Sequence, residues 1–132
     1  MRTALLIEDD VENRKRLARL FTNHGWSVIE ADDGAAGIDL ALVKNPAVIV
    51  CDLLLPRISG LQVCRAIREK LDLPKIIIMA GRSYNIDKNV VREAGGDAYF
   101  VKPINTRELS GQLGAIAARG DKVDVIDKMK TP

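Results

Sequence analysis

Short apolar runs alternate with helix-period segments along the whole chain. Residues 3–7 form the first run, a predicted strand that ends in three consecutive acids, Glu8-Asp9-Asp10. Residues 11–24 place Val11, Leu17, Ala18, Leu20 and Phe21 at helical spacing, with Gly25 as a stop. Residues 26–31 predict a second strand. Residues 33–44 are Ala-rich and predict a helix with Ala35, Ile38 and Leu42 turned inward, ended by Asn45-Pro46. Residues 47–51 predict a third strand, and residues 60–70 a helix carrying Leu61, Val63, Cys64 and Ile67. Ile76-Ile77-Ile78 anchor a fourth strand over 75–79. A weaker helix follows over 85–94 and ends at Gly95-Gly96. Residues 98–101 predict the fifth strand. Residues 106–118 predict a last helix with Leu109, Leu113, Ile116 and Ala117 on one face.

The pattern is five repeats of strand then helix. Near-continuously apolar strands are buried on both faces, which calls for a parallel sheet covered by helices on both sides. Five units cannot close an eight-fold barrel, and the chain of 132 residues is too short for one. The expectation is therefore an α/β fold with an open, doubly wound five-stranded parallel sheet, whose chemistry lies at the carboxyl ends of the strands. Residues 1–119 make the domain. Residues 120–132 fall outside the repeats and are expected to be a tail or the start of a linker.

Composition narrows the class. Apolar residues make up 47% and charged residues 29%, which suits a core under a solvated surface. Twenty basic against 18 acidic side chains give +2, too little to imply nucleic-acid binding. Cys51 and Cys64 match no metal-ligand spacing and do not form a disulfide framework. No apolar run approaches the roughly 20 residues of a membrane span, and the first run stops too early for a signal peptide. A soluble cytoplasmic domain is expected, with no membrane association and no direct nucleic-acid contact. His24, the only histidine, stands beside Gly25 and reads as a cap or surface residue, and Phe21 and Trp26 read as core.

Strand one runs directly into Glu8-Asp9-Asp10, strand three into Asp52, and strand five into Lys102. In the fold above, these separate pieces deliver carboxylates and one ammonium to a single edge. Carboxylates at close range repel unless a hard cation stands between them, and Mg²⁺ is the usual one. Such an arrangement leaves one carboxylate as a nucleophile toward a phosphoryl group, while cation and lysine neutralise the transferred oxygens. Any one acid alone is as well explained by a solvated loop or a helix cap, and Asp10 fits that reading. Of Leu53-Leu54-Leu55, part is expected in the core and part at the rim. Pro56 stiffens the turn, and Gly60 lets it enter the next helix closely. Lys102-Pro103 is an X-Pro bond at a strand end, where a cis bond would aim the Lys102 side chain.

These residues carry a resemblance. Leu5-Leu6-Ile7-Glu8-Asp9-Asp10, Asp52-Leu53-Leu54-Leu55-Pro56 with Gly60, Tyr99-Phe100-Val101-Lys102-Pro103, and Gly95 before Asp97 occur in order. Over about residues 2–118 the chain resembles a receiver domain of the bacterial two-component response-regulator family. The resemblance implies a flavodoxin-like sheet of order 2-1-3-4-5. It implies that Asp52 accepts a phosphoryl group from a phosphohistidine on a partner kinase or phosphotransfer protein, in a Mg²⁺-dependent reaction. Glu8, Asp9, Asp52 and the backbone carbonyl of Leu54 would hold the metal, Glu8 largely through a metal-bound water. Asp10 would be the less essential third acid, and Lys102 would pair with the phosphoryl group. Tyr99 would be the aromatic residue that turns with activation. The face of helix four, strand five and helix five would dimerise, or signal to a downstream protein or an output domain. Arg82 could touch the phosphate, or be a solvated loop arginine.

One residue departs from the family pattern. Thr or Ser usually ends strand four and donates a hydroxyl to the phosphoryl oxygen, but here Met79 stands in that position, and a thioether has no donor. Leu54 and Gly81 occupy positions where polar side chains can orient the hydrolytic water, so slow loss of the phosphoryl group is expected. Two other functions compete with a switching phosphoacceptor. A degenerate receiver would bind proteins independently of phosphate; Met79 favours it, and the intact acids and Lys102 oppose it. A Mg²⁺-dependent phosphatase or hydrolase would need a general-acid carboxylate two residues after Asp52, where Leu54 stands.

Overall fold

The computed structural model describes residues 2–81, 85–104, 107, 109–111 and 113. Five parallel strands, β1 (Thr3–Ile7), β2 (Ser27–Ala31), β3 (Val48–Asp52), β4 (Lys75–Ala80) and β5 (Ala98–Val101), form one sheet of order β2-β1-β3-β4-β5. Between them run α1 (Val11–Asn23), α2 (Gly34–Lys44), α3 (Gly60–Arg68) and α4 (Lys88–Glu93). Every residue of β3 and β4 is buried. That requires cover on both faces and explains why these strands read as apolar runs interrupted only at an end, by Asp52 in β3 and by Lys75 in β4. The edge strand β2 is only half-buried before Ala31, and it is the strand that tolerates the charged Glu30.

Helix starts are set by side chains that satisfy the free amides of the first turn. Asp10 accepts from the Asn13 amide at 2.9 Å and starts α1. Asp33 does the same for α2 through the Ala36 amide. Ser59 and Gln62 form a reciprocal capping box at α3. Asp87 caps α4 through Asn89, so that helix starts three residues later than the apolar spacing over 85–94 suggests. His24 is the C-cap of α1, exposed, with its ring Nδ1 2.9 Å from the Leu20 carbonyl. Phe21 and Trp26 pack edge to face in the core, their ring centres 5.8 Å apart.

The inward face of α2 differs from expectation. Ala35 and Leu42 are exposed and Ile38 is half-buried, while Gly34, Gly37 and Ala41 are buried. The helix lies so close to the sheet that a Cβ at Gly37 would collide with the Ile7 side chain. The contact face is therefore made of the smallest residues, and the larger aliphatics flank it.

Leu109 and Leu113, expected on the inward face of the last helix, are helical and buried. Residues 106, 108, 112 and 114–118 of that span, the 120–132 segment and Arg82 lie outside the described residues. Among the described residues, no helix is long and apolar enough to cross a membrane.

Candidate functional site

The chain leaves the sheet after β1, β3 and β5 at its carboxyl edge, and the main-chain ladder is carried one step further at each. The Glu8 amide donates to Ala31 at 3.1 Å, Leu53 to Met79 at 2.7 Å and Lys102 to Ala80 at 2.7 Å. These bonds bring Glu8, Asp52 and Lys102 together from positions up to 94 residues apart. Lys102 Nζ donates to Glu8 Oε1 at 2.7 Å and to Asp52 Oδ2 at 2.8 Å. The other oxygen of Asp52, Oδ1, accepts the Leu54 amide at 3.3 Å. The Lys102–Pro103 bond is cis, as its place at the strand end suggested.

Glu8 is fully buried, Asp52 is buried, and Asp9 is exposed at the mouth. One carboxylate oxygen from each lies within 4.8 Å of the others. Burial is the main force on Glu8, and with the Asp52 carboxylate beside it pushes its pKa up to about 7, against the opposing pull of Lys102. Burial alone would lower the pKa of Lys102, but its hydrogen bonds to Asp52 and Glu8 outweigh burial and raise it. A lysine thus stays charged among carboxylates, one of which is drawn toward its protonated form. An ordered trio of hard oxygen donors with too much negative charge fits a hard cation.

The remaining candidates sort by position. Asp10 is spent on capping α1, which matches its reading as a cap. Of the three leucines, Leu53 is buried, Leu55 half-buried and Leu54 half exposed beside the site. Met79 is buried and stands opposite Asp52 in the β3–β4 register and opposite Phe100 in the β4–β5 register. Tyr99 is buried, pairs with Ile78, and has its hydroxyl pKa raised by burial. Gly60 begins α3 against the Asp52 main chain, where a Cβ would collide with the Asp52 carbonyl. That contact sets the path of the loop after the acid.

Sequence reasoning passed over Arg14. Its Nη1 donates to the Glu8 carbonyl at 2.8 Å and its Nε to Glu30 at 2.9 Å. The available signal was Glu30, the one charged residue inside the second strand. Arg68 was also unremarked; it donates to Gly95 and Asp97 at 2.8 Å and ties the end of α3 to the entry of β5.

A sheet of this order, with acids following β1 and ending β3 and a lysine following β5, defines a class. The response regulator receiver domain model matches residues 4–113, and the chain belongs to that family. It is 39% identical over 126 residues to the response regulator ArlR of Staphylococcus epidermidis, covering 95% of this chain and 57% of that protein. It is 40% identical over 122 residues to the transcriptional regulatory protein AfsQ1 of Streptomyces coelicolor, covering 92% and 54%. The chain spans about half the length of the curated relatives it matches. Among solved structures, a putative response regulator from Chloroflexus aurantiacus superposes with a TM-score of 0.80 at 27% identity, over 89% of this chain and 98% of that one. A two-component response regulator from Clostridium difficile shares the fold with a TM-score of 0.83 at 24% identity, over 92% and 99%. The chain therefore carries the receiver fold and the acidic cluster of phosphoacceptor signalling domains, which are not dedicated enzymes.

Proposed function

We propose that Asp52 is the phosphoacceptor and that Lys102, Glu8 and Asp9 serve its chemistry. The observation that carries this reading is the double hydrogen bond of Lys102 to Asp52 and Glu8 at a buried sheet edge. An Asp52 carboxylate oxygen attacks the phosphorus of a phosphohistidine on a kinase or phosphotransfer partner. The P–N bond breaks, and its electron pair stays with the imidazole. Lys102 follows the charge from the carboxylate onto the phosphoryl oxygens, which keeps the ammonium paired throughout. The Leu54 amide steadies the second carboxylate oxygen. Glu8, Asp9, Asp52 and the Leu54 carbonyl would hold Mg²⁺, which when bound neutralises charge on the phosphoryl oxygens. Neither Leu54 nor Gly81 offers a polar side chain to a hydrolytic water, so the acyl phosphate is lost slowly.

The signal leaves through the face of α4, β5 and the segment that follows. Val90 and Val101 are apolar positions open on that face. A second copy of the chain, a downstream protein or an output domain would read it. The longer relatives favour an output domain, and a transcriptional regulator stands among them by name. The setting is cytoplasmic, where kinase and phosphodonor are found.

The second reading, a phosphate-independent interaction module, is favoured by Met79 beside Asp52. Intact mass separates the two. After incubation with acetyl phosphate and Mg²⁺ the protein gains about 80 Da, and Asp52→Asn gains nothing. No gain in the parent would leave the interaction module as the function.

A further inference from the structure

Arg14 lies in α1, but its guanidinium reaches back to the carboxyl edge. Nη1 donates to the main-chain oxygen of Glu8 at 2.8 Å, and Nε donates to Glu30 Oε1 at 2.9 Å. The side chain is only 13% exposed. Lys15 Nζ holds the other oxygen of Glu30 at 3.1 Å. Burial would raise the Glu30 carboxyl, but hydrogen bonds from Lys15 and Arg14 outweigh it and hold the pKa below the ordinary range, so the acceptor stays ionised. The ladder between β1 and β2 ends with the Glu8 amide on Ala31. The next peptide, from the Glu8 carbonyl to the Asp9 amide, has left the sheet and joins the two first-strand acids. Arg14 grips that peptide by its oxygen.

We propose that Arg14 is a positioning residue, bridging the Glu8 carbonyl to Glu30 so that the Glu8–Asp9 peptide presents both carboxylates to one cation. The inference rests on the metal and phosphoryl site proposed above and adds a residue to it. Two donors of one rigid, planar guanidinium fix an angle between the carbonyl and Glu30, which a single flexible ammonium does not. The role is geometric, since the cation of Arg14 would itself repel a metal.

The test is titration of the full chain with Mg²⁺ alone, followed by amide chemical shifts at Asp9 and Asp52, with the thermal midpoint measured alongside. Trp26 precedes β2 at the opposite edge of the sheet, so its fluorescence is a poor reporter. Arg14→Gln is expected to raise the Mg²⁺ concentration for half-saturation about tenfold. Arg14→Lys, which keeps the charge but not the fork, is expected to stay several-fold weaker than the parent. Labelling by acetyl phosphate is expected to recover in both at saturating Mg²⁺. Parental half-saturation in both variants, with only the thermal midpoint lowered, would make Arg14 merely structural and overturn the proposal. Full recovery in Arg14→Lys would also overturn it, by reducing the effect to charge. A parent that binds Mg²⁺ but takes no phosphoryl group sinks the phosphoacceptor reading, and the Mg²⁺ titration still decides Arg14. A parent that binds no Mg²⁺ overturns both.

Discussion

Glu8 is the residue on which the site's electrostatics turn. Its carboxyl sits at about 7 against an ordinary 4.5, because burial and the Asp52 carboxylate disfavour its charge more than Lys102 favours it. The sign follows from linkage. Below pH 4.5 the carboxyl is protonated in the folded and the unfolded chain alike, and folding is not penalised. Between 4.5 and 7 the unfolded chain releases the proton and the folded chain keeps it, so stability falls as pH rises and levels off above 7. The total loss is a few kcal/mol at most, taking about 1.4 kcal/mol per unit as the scale. At the metal site proposed above, Mg²⁺ would displace this proton, so its affinity should drop as pH falls below 7, approaching about tenfold per unit. Thermal unfolding from pH 5 to 8, in EDTA and in Mg²⁺, measures both effects. In Glu8→Gln the metal-free decline over that range should be absent; an equal decline would place the titrating group elsewhere.

At the scale of elements, the strands were the most legible part of the chain, and β5 over Ala98–Val101 coincides with its apolar run. In the strands buried on both faces the apolar run is broken only at an end, by Asp52 in β3 and Lys75 in β4, so their pattern has no ambiguity of phase. The candidate site was legible for a related reason: acids placed directly after such runs have nowhere to go but the sheet edge. Helix α2 was misread because its contact is made by Gly34 and Gly37, which register in no hydrophobic pattern. The Arg14–Glu30 bridge was missed because it joins residues 16 apart through the fold rather than through helical spacing. Close approach at glycine makes a measurable prediction. At Gly60 a Cβ would strike the main chain of Asp52 and Leu53, whereas at Gly37 it would strike the side chain of Ile7, which can turn. Gly60→Ala should cost about 1–3 kcal/mol by urea unfolding and shift the Asp52 amide signal. Gly37→Ala should cost less, since alanine is the better helix former by about 1 kcal/mol. The reverse order would show that the β3–α3 turn is not held by this contact.

For the whole molecule to act as a switch, a phosphoryl group at Asp52 must alter a surface several residues away, and Met79 lies on the route. It is buried, opposite Asp52 on one side and Phe100 on the other, and Phe100 adjoins Tyr99 on β5. A hydroxyl at this position would hydrogen-bond the phosphoryl oxygen and pull β4 toward it, with a charge-assisted bond of roughly 1.5–3 kcal/mol. That is a large share of the roughly 5.5 kcal/mol that carries a two-state equilibrium from 1:99 to 99:1. The thioether of Met79 has no donor to contribute. The missing donor rather than the bulk of Met79 limits the coupling, because methionine is flexible enough to repack. Phosphorylation should then shift the α4–β5 face only in part. Met79→Thr should enlarge the shift at Tyr99, Val101 and Val90 while leaving the labelling of Asp52 intact. The measurement is a comparison of amide spectra for parent and Met79→Thr, each with and without beryllofluoride as a phosphoryl mimic. A full shift across the face in the parent, unchanged by the substitution, would mean that coupling to β5 runs through Lys102, which already bonds Asp52 and directly follows that strand.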